Sequence, residues 1–194
     1  MSSAYWHSIA TMKSIFSLVT CFLALVTSAV VQASQEEQQA AVQLRKLIKD
    51  ESSFQLTTIN QNGTPYGIRM YYISPDRCEG VEHDGQPIFL MVDTTLQQVN
   101  AKNNNNVSFS VASISIEDPM KAPRANFAGE LEVLQPIPAL QKCFADVHPD
   151  AKPWIPSGPS PVKFYRFKIK SIYYVAAKAG YNGYIDPALY ANAN

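Results

Sequence analysis

The fold class this chain predicts is mainly β within α+β: a small closed or partly open antiparallel barrel with helices at its margins. Three patterns carry the prediction. Two apolar-alternating runs flank the turn Asn60-Gln61-Asn62-Gly63, which is hairpin chemistry. Two long runs slip phase by one residue, as strands do where a β-bulge coils a sheet toward closure. The helical segments are short and amphipathic, suited to covering a sheet rather than forming a bundle. About six strands and three helices follow from the periodicities.

In chain order, Ser34-Gln35-Glu36-Glu37 has the spacing of a capping box. Ala41, Leu44, Leu47 and Ile48 then recur at helical spacing, so residues 35–50 read as a helix with a narrow apolar stripe. Such a stripe fits a sheet edge or the bottom of a barrel. Phe54–Ile59 and Tyr66–Ile73 are the arms of the hairpin, and Ser74–Gln86 is a polar loop containing Cys78. Pro87–Val92 reads as a strand, Thr94–Lys102 as a short polar helix, and a second strand starts at Val107 after an Asn-rich turn. Val107, Phe109 and Val111 alternate, and the phase then shifts to Ile114 and Ile116, predicting a bulge near Ala112–Ser113. Arg124–Leu134 alternates again. Ile137–Val147 is a helix that stops at His148-Pro149.

Pro149–Pro161 holds five prolines and reads as an extended loop pinned by Trp154. Phe164–Val175 is the longest strand, with a second bulge at Ser171. Gly180–Ile185 forms a last short strand, and the tail Asp186–Asn194 reads as surface. The Arg166, Lys168, Lys170 row is read as a solvated strand face. Tyr71, Tyr72, Tyr173 and Tyr174 are read as barrel core and subunit interface, with stacking on a flat ligand as the alternative.

The N-terminal stretch has a different character. Lys13 is the only charge in residues 1–33; Ile15 to Val31 is apolar with interspersed Ser and Thr, and Val31-Gln32-Ala33 has the small residues a signal peptidase reads. Residues 1–33 are therefore expected to be a signal peptide, with Met12 as an alternative start, leaving a domain over 34–194. The alternative is a retained anchor, since the apolar run approaches a spanning length. After removal, no membrane association is expected. Composition is ordinary for a globular chain: 46% hydrophobic, 16% charged, with 16 basic and 16 acidic residues. No basic patch points to nucleic acid. Cys21 leaves with the signal; Cys78 and Cys143 remain, either as one disulfide or as two unpaired buried thiols. Asn62-Gly63-Thr64 and Asn106-Val107-Ser108 are glycosylation sequons, so Asn62 and Asn106 are candidate acceptors.

Gly63-Thr64-Pro65-Tyr66-Gly67, Gly85-Gln86-Pro87-Ile88-Phe89-Leu90 and Asn106-Val107-Ser108 together resemble the pyridoxamine 5′-phosphate oxidase-like family of FMN-binding split barrels. His148-Pro149-Asp150-Ala151-Lys152-Pro153-Trp154 and Gly180-Tyr181-Asn182-Gly183-Tyr184-Ile185 narrow the resemblance to its secreted CREG-like branch, over roughly Gln38 to Tyr190. The resemblance implies a six-stranded split β-barrel, a homodimer, and an FMN site at the dimer interface. It implies a phosphate held by an Arg on the second strand and a Ser/Arg/Lys group in the helix after the third.

Carried over one residue at a time, the strand Arg falls on Ile68, the Ser on Thr95, the helix Arg on Leu96 and the Lys on Gln97. A shift of one residue would place the strand cation on Arg69 instead. Thr94, Thr95, Gln97, Gln98 and Asn100 keep the polarity of a phosphate cradle without its charge, and a phosphate dianion needs charge-assisted partners. The expectation is a secreted or endolysosomal glycoprotein, non-catalytic or with a vestigial pocket formed by these residues together with Ile68 and Arg69. It is expected to act through its surface, on a cell-surface or endolysosomal receptor, or through weak ligand binding. No robust cofactor is expected, and FMN only weakly. The alternatives are an FMN-dependent oxidoreductase and a haem or other small-molecule carrier. Cys143 and His148 lie about 140° apart on a helix, against a catalytic dyad. His83 stands without a second ligand cluster, against a metal site.

Overall fold

The computed structural model describes residues 35–177 and 180–193. The leader reading over 1–33 lies outside them. Gln38–Asn194 is one unit, assembled around seven antiparallel strands. Helix α1 spans 35–50, followed by β1 (Ser53–Ile59), β2 (Pro65–Tyr71), β3 (Ile88–Val92), α2 (Leu96–Asn103), β4 (Val107–Ala112) and β5 (Arg124–Leu134). Then come α3 (Pro138–Val147), β6 (Val162–Val175), β7 (Asn182–Ile185) and α4 (Pro187–Ala191).

The strands pair in the order β2-β1-β4-β5-β6-β3, with β7 added to β6. The ends of this sheet meet where Ile73, just past β2, exchanges two backbone hydrogen bonds with Ile88 of β3 (2.8 and 3.0 Å). A single bridge closes the ring, so the barrel is split rather than fully laddered. Six strands form the barrel and the short seventh extends it, in agreement with the split-barrel expectation.

Alternation decides which face each residue takes. Phe54, Leu56, Phe109, Phe127, Phe167, Ile172 and Tyr174 point inward and are buried. Phe109 sits centrally: it stacks on Phe54 at 4.2 Å and meets Tyr72 and Phe127 edge-on at 5.1 and 5.6 Å. The stripe of α1 (Ala40, Ala41, Leu44, Leu47, Ile48) joins this cluster. The Tyr72 hydroxyl donates to the Ile48 carbonyl at 2.9 Å, so the helix covers the barrel interior. Of the four tyrosines read as core or interface, Tyr72 and Tyr174 are core, and Tyr71 and Tyr173 are exposed.

The bulge on the longest strand is present, with the extra residue at Lys170. Ala128 pairs with Ser171 and Gly129 with Ile169, leaving Lys170 unmatched. A Cβ on Gly129 would sit 2.1 Å from the Lys168 carbonyl oxygen, so the close approach there requires glycine.

Four expectations are corrected. The phase slip after Val111 is not a bulge: β4 ends at Ala112, and Ile114 (71% exposed) lies in a loop that returns to β5. Trp154 does not pin the proline-rich loop; it is 64% exposed, while Ala151 in a 3₁₀ turn over Pro149–Trp154 is the buried anchor. The tail is not all surface. Asp186 caps α4 through its carboxylate and the Ala188 N–H (2.8 Å), and Tyr190 is buried in the main core. In the basic row Lys168 and Lys170 are exposed, but Arg166 is largely covered and lies 3.4 Å from Asp84.

A second, smaller core holds Ile73, Ile88, Leu140, Phe144, Ala151 and Phe164 under α3. Cys78 and Cys143 form a disulfide across it, with Cα atoms 5.4 Å apart. Between the main core and the loop, Arg45 is a buried clamp. It pairs with Asp76 (2.7 and 2.8 Å) and donates to the Tyr190, Ala191 and His83 carbonyls, tying α1 to the C-terminal helix.

Candidate functional site

A groove of about 550 Å³ opens on the barrel flank where β2, β3, the start of α2, α3 and the 3₁₀ turn converge. That volume is within the range of small-molecule sites. Its floor comes from the smaller core, through Phe144 and Ala151, and from Leu90, Met91 and Val92 of β3. On β2 the period of two places Tyr66, Ile68 and Met70 on the half-buried side and Arg69 and Tyr71 on the exposed one. Arg69 and Tyr71 therefore reach the groove wall, and Trp154 flanks it.

Arg69 is held by a neutral partner: its Nε and Nη2 donate to Ser53 Oγ at 3.2 and 2.7 Å. Tyr71 donates its hydroxyl to an Asp150 carboxylate oxygen at 3.0 Å, which raises the phenol above its ordinary pKa. Behind it, His148 stacks on the Tyr71 ring at 4.2 Å. The His148 Nε2 lies 2.9 Å from the Tyr72 carbonyl, an acceptor, so Nε2 carries the proton. Burial holds this imidazole below its ordinary pKa, only partly countered by the Tyr72 carbonyl and Asp150.

The candidate residues divide into two groups. Arg69, Thr95 and Gln97 line the groove together. The consecutive β2 residues Arg69, Met70 and Tyr71 line the groove, while Ile68, paired with the buried Leu56, does not. Of the positions to which the resemblance assigns cations, the neighbouring β2 residue that meets the groove is Arg69, and Leu96 and Gln97 are neutral. Leu96 is 49% exposed and faces away from the groove lining.

The remaining polar residues of the unit fasten α2 to the barrel. Gln98 donates to the Tyr165 hydroxyl at 2.8 Å; Asn100 donates to Thr58 Oγ1 (3.1 Å) and Asn60 Oδ1 (2.8 Å). Both are almost fully buried, and their amide nitrogens fasten the helix to the strands, while Gln98 Oε1 is buried without a partner. Thr94 is exposed, and Thr95 turns its hydroxyl onto the Val92 carbonyl at 2.8 Å. Sequence reasoning missed Ser53, Phe144, Ala151 and Trp154 as groove residues. They come from three separate segments, β1, α3 and the 3₁₀ turn that holds both Ala151 and Trp154, and no spacing links the three.

Next to the groove, sharing Ser53 and Arg69 with it, lies a shallow polar cavity of about 700 Å³ on the sheet exterior. The registers place Arg69, Gln55, Ser110, Asn126, Tyr173 and Tyr184 opposite one another across six strands. Beside this row runs a flat one of small residues: Gly67, Thr57, Ser108, Ala128 and Ser171. Asn126 binds the rows together, donating to both Ser108 and Ser110 at 2.7 Å. Neither row carries an acidic side chain. Elsewhere, His83 Nε2 lies 3.1 Å from the Cys78 carbonyl, and no cluster of three or more metal-ligating side chains occurs among the described residues. Asn62 and Asn106 are both exposed. The Asn62 Oδ1 accepts from the Thr64 N–H and hydroxyl (3.1 and 2.6 Å).

The family model described as CREG, β-barrel matches residues 35–192. No curated protein matches the chain. Solved structures of the same fold include the heme binding protein from Mycobacterium smegmatis, 19% identical, with 78% of this chain and 60% of that one covered, at a TM-score of 0.65. A protein of unknown function from Agrobacterium tumefaciens strain C58 is 21% identical, with 76% and 61% covered and a TM-score of 0.60. A protein from Clostridium acetobutylicum, related to general stress protein 26 and of the pyridoxinephosphate oxidase family, is 16% identical, with 72% and 89% covered and a TM-score of 0.53. The chain thus spans about three fifths of the first two proteins. At these identities the likeness establishes the split-barrel fold alone.

Proposed function

The chain belongs to the CREG β-barrel family, and from that premise we propose that it is a secreted or endolysosomal, glycosylated homodimer that binds a small ligand weakly and does not turn it over. The observation that carries the reading is the charge of the groove. Its lining holds one cation, Arg69, beside the neutral Thr95 and Gln97, and no acidic side chain, histidine or cysteine among the described residues. A flavin phosphate is close to a dianion and loses hydration on binding, so a single guanidinium offsets it poorly. The residues present do not fit a tightly held FMN, and no chemical step is assigned to it.

Secretion is supported by the apolar segment before residue 34, by the disulfide, which persists in oxidising compartments, and by two exposed sequons. The flat rows on β2, β1, β4, β5 and β6, with Tyr173 and Tyr184 exposed beside them, supply a self-complementary face for the dimer. A haem carrier is the second reading, prompted by the mycobacterial heme binding protein that shares the fold. It is weakened because the imidazole nearest the groove, His148, is buried with its Nε2 committed to a carbonyl.

The test is the visible spectrum of protein purified from a secretory host, before and after FMN is added and gel filtration repeated. A colourless dimer is expected. Stoichiometric flavin surviving filtration would overturn the reading, and a Soret band would favour the haem carrier.

A further inference from the structure

We infer that the groove takes an amphiphile with one anionic end and an apolar body, a long-chain acyl anion whose head meets Arg69. This rests on the reading of the groove as a ligand site. Among the described residues Arg45 and Arg166 have carboxylate partners and Arg77 and Arg124 donate to backbone carbonyls, whereas Arg69, the one cation in the groove lining, is hydrogen-bonded only to the Ser53 hydroxyl. An exposed guanidinium on a neutral partner keeps donors for an anion at little desolvation cost.

Beyond Arg69 the wall becomes apolar: Leu90, Met91, Val92, Phe144 and Val162 line it without another formal charge. A polar ligand would leave its own donors and acceptors unpaired against these side chains. An acyl chain loses nothing there and gains from burial. One cation also matches one negative charge, the same count that makes the site poor for a flavin phosphate. The head can be a free carboxylate or the phosphodiester of a monoacyl phosphatidylglycerol, each of which brings one negative charge and two acceptor oxygens to Arg69.

The test uses the full mature protein and a fluorescent long-chain polyene fatty acid, displaced in turn by palmitate, by its methyl ester and by a monopalmitoyl phosphatidylglycerol. Saturable binding is expected, with palmitate displacing the probe about tenfold better than the ester, the usual worth of a charge-assisted hydrogen bond. Arg69→Met should weaken palmitate about tenfold and leave the ester unchanged; Val162→Trp, which fills the groove, should abolish displacement by both. Stronger displacement by the monopalmitoyl phosphatidylglycerol would support the inference with a lipid phosphodiester as the source of the head. Equal affinity for palmitate and ester, or an indifferent Arg69→Met, would overturn this inference and leave the groove a ligand site. Absence of saturable binding in every arm would overturn both.

Discussion

The barrel interior and the groove on its flank draw on the same strands but end differently. Inside, Phe54, Phe109, Phe127 and Phe167 form one buried cluster with the apolar stripe of α1. Outside, Leu90, Val92 and Val162 line a wall that no described residue covers, edged by Arg69 and Tyr71. Interior residues answer to packing, so a change there is felt as stability. Groove residues answer to whatever occupies them, so a change there should be felt as binding. The polar unit around α2 belongs to both: Gln98 and Asn100 serve the interior contact, Thr95 and Gln97 the groove.

The sharpest separation comes from Phe109→Ala. Removing a central ring should cost about 4 kcal/mol in denaturant unfolding, because its neighbours on four strands cannot all collapse into the space. Next is the disulfide. Replacing Cys78 and Cys143 with alanine should cost about 3 kcal/mol, mainly by freeing the unfolded chain. It should also loosen the groove floor, read as faster hydrogen exchange around Phe144. If exchange there is unchanged, the groove is independent of the smaller core.

Arg45→Met should cost about 2 kcal/mol, less than a fully dry ion pair because Asp76 retains 13% exposure. Its signature is protection lost at the Tyr190 amide while β4 and β5 stay protected.

A smaller effect is expected from pH. Burial depresses the pKa of His148 from 6.5, so the unfolded state takes up the proton first on acidification. The stability contributed by the neutral ring is complete above about pH 6.5 and is lost as pH falls toward the folded-state pKa. His148→Gln should flatten that part of the stability–pH curve. A variant that keeps the full slope would place the titration elsewhere. The smallest effect is that of Arg69→Met on stability, within about 0.5 kcal/mol for an exposed position, whatever it does to binding.

The distinction between these two regions was only half legible in the sequence. Alternation identified the inward residues of β4 and β6, because one buried face imposes a period of two, and Phe127 on β5, where it also grouped Val133, which is exposed. The capping box and stripe identified α1, and the bulge on β6 was visible as a phase slip that the structure places one residue away, at Lys170. The same signal misled after Val111, where Ile114 and Ile116 continue an apolar pattern with no partner strand. Helix α4 was missed although Asp186-Pro187 is a helix start, because five residues carry too little periodicity and Tyr190 is buried only by distant segments. Arg45 could not be assigned its clamp, since Asp76 lies 31 residues away and the carbonyls it holds about 145. The groove depends on that kind of long-range convergence. Its polarity on α2 was readable, but which of two adjacent β2 residues faces it required the strand's pairing.

The central claim is that the groove lacks the charge to hold a flavin phosphate, and the most direct measurement compares FMN with riboflavin in the same titration. The account predicts that FMN binds no more than about tenfold tighter than riboflavin, the worth of one charge-assisted contact, because Arg69 is the one cation of the groove lining among the described residues. FMN binding a hundredfold or more tighter than riboflavin, with that advantage lost in Arg69→Met, would contradict it.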